Sequence, residues 1–147
     1  MSDRPTLSGP PAGMPEGDRE LLEVASAILD ARYREGVHEV AAALRLADGR
    51  VVTGLHVEAS AGRASVCAEA AALSAAIVAG SPVVAIVGVL QRPGGSRHLI
   101  EPCGVCAELL GDHAPEASVW VAVDDAFAPV RVAALLPYRR RRAARPV

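Results

Sequence analysis

Residues 66–90 read VCAEAAALSAAIVAGSPVVAIVGVL, and this stretch decides the fold. From about Val66 to Ala79 the chain is almost all alanine, leucine, isoleucine and valine, and Gly80 stops it. That pattern predicts a buried helix with a C-terminal glycine cap. Pro82–Leu90 follows as a β-branched run carrying Val83, Val84, Ile86, Val87 and Val89. Such a run predicts a strand covered on both faces. A buried helix feeding a doubly covered strand points to an α/β layer.

Upstream, Asp18 reads as an N-cap, with Leu21, Leu22, Ala25, Ile28 and Leu29 at helical spacing up to about Arg32. Val40–Leu46 and Arg50–Val57 predict two strands, joined by a hairpin turn at Ala47-Asp48-Gly49. Downstream, Arg92–Ser96 is a loop, and Cys103–Leu110 is a short helix opened by Pro102. Ser118–Val123 is a further strand, and Val132–Leu136 begins a last helix cut at Pro137. The order α, β, β, α, β, α, β, α predicts a mixed sheet: one hairpin, then βαβ crossovers. Residues 1–17, rich in Pro and Gly, read as a flexible leader, 18–138 as the domain, and 139–147 as an arginine-rich tail.

Composition narrows the function. Of 147 residues, 51% are apolar, enough for a core, so a disordered chain is excluded. A net charge of −2 argues against a dedicated nucleic-acid or membrane-surface binder. No apolar run approaches the roughly 18–20 residues of a membrane span, and the N-terminus lacks the apolar core of a signal peptide. Three cysteines, an odd number, predict a reducing, cytoplasmic setting in which closely spaced cysteines bind metal more often than they form disulfides. There is no lysine and no asparagine.

All three cysteines fall in two segments, Cys67-Ala68-Glu69 and Pro102-Cys103-Gly104-Val105-Cys106. Each lies at the predicted start of a helix, where free N–H groups and the helix dipole favour thiolate. Three thiolates would hold one Zn²⁺ per chain and leave its fourth position for water, as in catalytic zinc sites. Glu69 lies close enough to shuttle protons without being a ligand. A lone Cys-x-x-Cys reads equally as a redox motif or a structural zinc half-site, but that leaves Cys67 and Glu69 unexplained. The combination is the signature of zinc deaminases: Cys or His, any residue, Glu, then Pro-Cys-x-x-Cys.

With these motifs the chain resembles the small cytidine deaminases, a family to which blasticidin S deaminase is related. The resemblance covers about residues 18–138 and implies a three-layer α/β/α fold with a mixed sheet. Gly54-Leu55-His56-Val57-Glu58 stands where the family has Gly-x-Asn-x-Glu, and Glu58 precedes Cys67 by nine positions, as the family's ribose-binding Glu does. Glu101–Cys106 matches the second zinc segment, and Ala134-Leu135-Leu136-Pro137-Tyr138 resembles a C-terminal element that closes a neighbouring subunit's site. The resemblance implies a homotetramer, and substrate contacts from Glu58, His56, the Ala68 N–H, the Glu101 carbonyl and His38.

The departures bear on substrate. His56 replaces Asn, His38 replaces Phe, Ala70 replaces the Arg after Cys-Ala-Glu, and Ala107-Glu108 replaces Arg-Gln. Three thiolates without a compensating Arg make a more negative site, unless His56, Arg63 or another cation supplies the charge. The expected reaction is hydrolytic deamination of cytidine or deoxycytidine. The alternative substrate is another aminopyrimidine, such as a blasticidin-like nucleoside antibiotic or specialised metabolite. A catalytically silent zinc module is the rival from another class, and the presence of Glu69 argues against it. Nucleic-acid editing is disfavoured by charge and scarce aromatics. Trp120 reads as core or interface packing, Arg139–Arg142 with Arg145 as a solvated tail, and His98 and His113 receive no role.

Overall fold

The structure, a computed structural model, describes residues 4–140. Helix α1 spans Glu16–Arg32, followed by β1 (Val40–Leu46), β2 (Val51–Leu55) and a 3-10 turn at Gly62–Ala64. Helix α2 (Ala68–Ala79), β3 (Val83–Gln91), β4 (Arg97–Leu99) and α3 (Gly104–His113) come next. Strands β5 (Ser118–Val123) and β6 (Ala126–Arg131) and a 3-10 turn at Val132–Ala134 close the order. The main sheet runs β2-β1-β3-β5-β6, with β4 also on β3. Among the described residues only β3 and β5 are hydrogen-bonded in parallel; the other pairs are antiparallel.

Alternation along the strands builds three layers. On β1, Ala41 and Ala43 pack with Leu21, Ala25 and Leu29 of α1, whereas Ala42, Leu44 and Leu46 pack with Ala72, Leu73 and Ala76 of α2 and Leu110 of α3. The expected α/β/α arrangement is therefore present, with α1 alone on one face and α2 and α3 on the other. Small β1 side chains let both layers approach closely. Trp120 is core, as expected, and its Nε1 donates to Asp18 Oδ2 at 2.7 Å, tying α1 to β5.

Gly54 on β2 is what lets α2 lie down on the sheet. A β-carbon there would overlap the Ala68 carbonyl and stand 2.5 Å from the Ala72 nitrogen. Gly80 caps α2 with φ at 76°, a left-handed position that glycine adopts without strain.

Several sequence expectations need correction. Helix α1 starts at Glu16 with Pro15 at its N-cap, so Asp18 sits in the first turn and bonds Trp120 instead. The last helix expected at Val132–Leu136 is a 3-10 turn of three residues. Strand β6 was not expected; it carries Pro129, and it lies at the sheet's edge, where a residue without an N–H is tolerated. Strand β4, three residues long, is too short to leave a periodic signal.

Residues 4–15, read as a flexible leader, lie against the domain. Met14 is buried with α1, Leu7 N–H donates to the Arg97 carbonyl at 2.8 Å, and His98 Nδ1 donates to the Pro5 carbonyl at 3.1 Å. At the other end Arg139 pairs with Asp112 and Glu108 of α3, at 2.7 and 3.3 Å. Arg140 is exposed, and the tail arginines Arg141, Arg142 and Arg145 lie outside the described residues. No helix among the described residues is long and apolar enough to cross a membrane.

Candidate metal centre and active site

The N-termini of α2 and α3 converge on one point. Cys67 is the N-cap of α2 and Cys103 the N-cap of α3, with Cys106 one turn in. Their sulfurs all lie within 4.8 Å of one another. Cys67 Sγ and Cys103 Sγ are 3.6 Å apart, and the Cys106 N–H donates to Cys103 Sγ at 3.4 Å. Tetrahedral zinc with Zn–S near 2.3 Å requires sulfur–sulfur edges of about 3.8 Å. The donor set therefore fits zinc in both chemistry and spacing.

Electrostatics give the same answer. Burial pushes the Cys67 thiol up, with the Cys103 sulfur adding to it. Burial also raises Cys106, strongly, and the negative charges of Glu69 and the other two sulfurs raise it further. For Cys103 burial acts upward too, but the Cys106 N–H and neighbouring thiols prevail and hold it below its ordinary value. Packed thiols that resist joint ionisation are stabilised as thiolates by a divalent cation.

Glu69 is 4% exposed, in the first turn of α2, and burial raises its carboxyl above the usual range. It reaches a cavity of about 380 Å³ lined also by Cys67, Ala68, Cys103, His56 and Glu101. On the other side it faces Gly88 of β3, where a β-carbon would come 3.2 Å from Oε1.

Of the expected substrate contacts, His56, Ala68 and Glu101 line this cavity, whereas Glu58 and His38 stand behind His56. The Glu39 N–H points at His56 Nδ1 at 3.4 Å, so the ring proton lies on Nε2 and is donated to Glu58 Oε2 at 3.0 Å. Ser65 Oγ donates to the other Glu58 oxygen at 2.6 Å. The Ser65 hydroxyl is the main cause holding the Glu58 carboxyl below its ordinary value, with His56 assisting against partial desolvation. His38 Nδ1 donates to the His56 carbonyl at 2.8 Å, supporting that backbone.

Arg63 is not among the lining residues; among the described residues the arginines in the cavity wall are Arg4 and Arg92. Sequence reasoning missed both. Arg4 sits in a Pro-rich leader and Arg92 in a surface loop, and neither position carries a local signal. Arg4 pairs with Glu101 at 2.5 Å. Burial would raise the Glu101 carboxyl, but the Arg4 guanidinium and a backbone N–H hold it below its ordinary value.

A family model described as the cytidine and deoxycytidylate deaminase zinc-binding region matches residues 15–122. The chain is 32% identical over 130 residues to a blasticidin-S deaminase of Bacillus cereus, covering 85% of this chain and 93% of that one. Among solved structures it resembles cytidine deaminase from Burkholderia pseudomallei, at 30% identity and TM-score 0.68, covering 85% of this chain and 98% of that one. It likewise resembles cytidine deaminase from Mycobacterium leprae, at 28% identity and TM-score 0.66, covering 84% of this chain and 99% of that one. With three sulfurs at zinc spacing beside a buried Glu, the chain belongs to the cytidine and deoxycytidylate deaminase family of zinc-dependent hydrolytic deaminases.

Proposed function

We propose that the chain deaminates a cytosine nucleoside, converting cytidine or deoxycytidine to the uridine counterpart with release of ammonia. The observation that carries this reading is the buried Glu69 carboxyl beside three converging thiols on one cavity wall. Cys67, Cys103 and Cys106 hold the zinc, which when bound supplies a nucleophile from water at neutral pH. Glu69 accepts the water proton on a carboxylate oxygen and delivers a proton to the ring nitrogen. It then helps protonate the departing amine, so the C–N bond breaks as ammonia leaves and a ring carbonyl forms. Burial of Glu69 suits this task, because bulk water is kept from the proton it holds between transfers. In this reading the Ala68 N–H binds the ring carbonyl and the Glu101 carbonyl accepts from the amine; both residues line the cavity. Glu58 and His56 would serve the sugar by exchanging their mutual hydrogen bond for sugar hydroxyls, with His38 holding the His56 backbone.

The second reading keeps the chemistry and changes the substrate to another aminopyrimidine, such as a blasticidin-like antibiotic. Two observations favour it: His56 in place of Asn, and the identity to a blasticidin-S deaminase. A homotetramer working in the cytoplasm completes the proposal. Its support is the exposed apolar surface of Ile77 and Val78 on α2 and Val105 on α3, and three free thiols suited to a reducing setting.

The test is ammonia release from cytidine, deoxycytidine and blasticidin S, on protein whose zinc has been measured. One zinc per chain is expected, and Glu69→Gln should keep it while losing at least about a hundredfold in rate. Zinc-free protein with intact thiols, or an active Glu69→Gln variant, would overturn the reading. Light scattering that finds a monomer at micromolar concentration would remove the tetramer.

A further inference from the structure

Arg4 and Arg92 line the cavity that Glu69 reaches, yet they come from distant parts of the chain. Arg92 is the first residue after β3, and Arg4 is brought in by the N-terminal segment, which the Leu7 and His98 hydrogen bonds hold against β4. Their charges are not equally compensated. Arg4 faces Glu101 at 2.5 Å, whereas no carboxylate pairs with Arg92 among the described residues.

The cavity's carboxylates are also accounted for. Glu69 serves the reaction and Glu101 is paired with Arg4. Glu58, the carboxylate suited to sugar hydroxyls, stands outside the lining with both oxygens engaged by Ser65 and His56. Among the described residues the cavity wall is thus left with one guanidinium that no carboxylate pairs and, beyond the reacting Glu69, no carboxylate open to hydroxyls.

Position fits a ligand's far end. Gly88 lies against Glu69, and Arg92 is four residues farther on. At the rise of an extended chain that is about 13 Å. A guanidinium on its flexible arm can reach back from there toward the end of a nucleoside whose ring lies at Glu69.

We infer that Arg92, with Arg4 behind it on Glu101, forms an anion subsite, so that of the two substrate readings the site favours the second, an aminopyrimidine carrying a carboxylate or phosphate away from its ring. The planar guanidinium fork binds either group through paired charge-assisted hydrogen bonds. This inference rests on the deaminase reading for the placement of the ring, but the subsite can be tested without turnover.

The experiment measures binding of uridine, uridine 5′-monophosphate and uridine 5′-carboxylate to the zinc-loaded protein by calorimetry. At least one anionic ligand should bind about tenfold tighter than uridine, and which one identifies phosphate or carboxylate as the preferred group. Added salt should shrink the difference. Arg92→Glu should abolish or reverse the preference, and Arg4→Ala should reduce it. Arg131→Ala, removing an exposed arginine that pairs with Glu116, should leave the preference unchanged. Equal binding of all three ligands, or a preference that survives Arg92→Glu, would overturn the subsite. Ammonia release from the corresponding cytidines is read separately: an anion preference in binding without turnover of any of them would count against the deaminase reading alone.

Discussion

Gly88 on β3 stands against Glu69, and its missing side chain makes the room in which that carboxylate sits. A β-carbon at Gly88 would be 3.2 Å from Glu69 Oε1 and 3.4 Å from the Ile100 carbonyl oxygen. The strand backbone and Ile100 are fixed by sheet hydrogen bonds, so the carboxylate is the group that would give way.

Gly88→Ala is therefore expected to act on catalysis more than on folding. A displacement of a few tenths of an ångström should lower kcat about tenfold, since proton transfer depends on placement within hydrogen-bond reach. Zinc content should be unchanged, and the loss of stability should be about 1 kcal/mol. Steady-state kinetics beside a denaturation curve decide it; an unaltered kcat would mean that Glu69 tolerates the methyl.

Gly54→Ala should do the reverse. Its new methyl meets the backbone of α2 at Ala68 and Ala72, and backbone cannot swing aside as a side chain can. The helix must lift from β2, at a cost of about 3 kcal/mol or more. Because Cys67 is the N-cap of α2, zinc affinity should fall as well. Thr53→Ala, on the exposed neighbour, serves as the control. Urea denaturation of zinc-loaded protein showing equal stability for both variants would refute the close approach.

The metal residues were legible because their information is local. Cys67, Glu69, Cys103 and Cys106 sit at helix starts, and the spacing that marks those starts is the same spacing that gathers the ligands. Gly80 marked the end of α2 and the valine run marked β3 for the same reason. Arg4 and Gly88 were not legible. What makes each matter is a partner far along the chain, Glu101 for one and Glu69 for the other. Composition misdirected the reading of residues 4–15, since frequent Pro and Gly there hide the burial of Met14. Pro129 hid β6 because its tolerance depends on lying at a sheet edge, a tertiary fact.

Ser65→Ala gives a pH-dependent outcome whose sign is fixed. The Ser65 hydroxyl, donating at 2.6 Å, is the largest cause of the lowered Glu58 carboxyl. A carboxyl lowered in the folded state contributes stability above its unfolded value, about 4.3, and loses it as pH falls through the folded value. Removing the hydroxyl moves the folded value back up, so the variant should lose the charged Glu58–His56 contact at a higher pH than wild type. NMR titration of the Glu58 carboxyl carbon reads this directly. A titration point in Ser65→Ala at or below that of wild type would contradict the hydrogen-bond assignment.

His56→Asn tests how the cavity treats a sugar. In the present arrangement the imidazole has no free nitrogen: Nδ1 faces the Glu39 N–H and Nε2 donates to Glu58. An Asn side chain is too short to reproduce both contacts. It would leave Glu58 Oε2 available and present an amide oxygen and two N–H donors of its own. Hydroxyls of an ordinary ribose would then meet both residues, the pattern the small cytidine deaminases carry as Gly-x-Asn-x-Glu. The variant should therefore gain severalfold in kcat/KM for cytidine, chiefly through KM, because Glu69 and the cysteines are untouched. If a different aminopyrimidine is the natural substrate, kcat/KM for blasticidin S should fall in the same variant. Opposite movements for the two substrates would place His56 at the point of discrimination. An unchanged value for both would show that His56 serves only to hold Glu58, and the sugar contact assigned to it would be withdrawn.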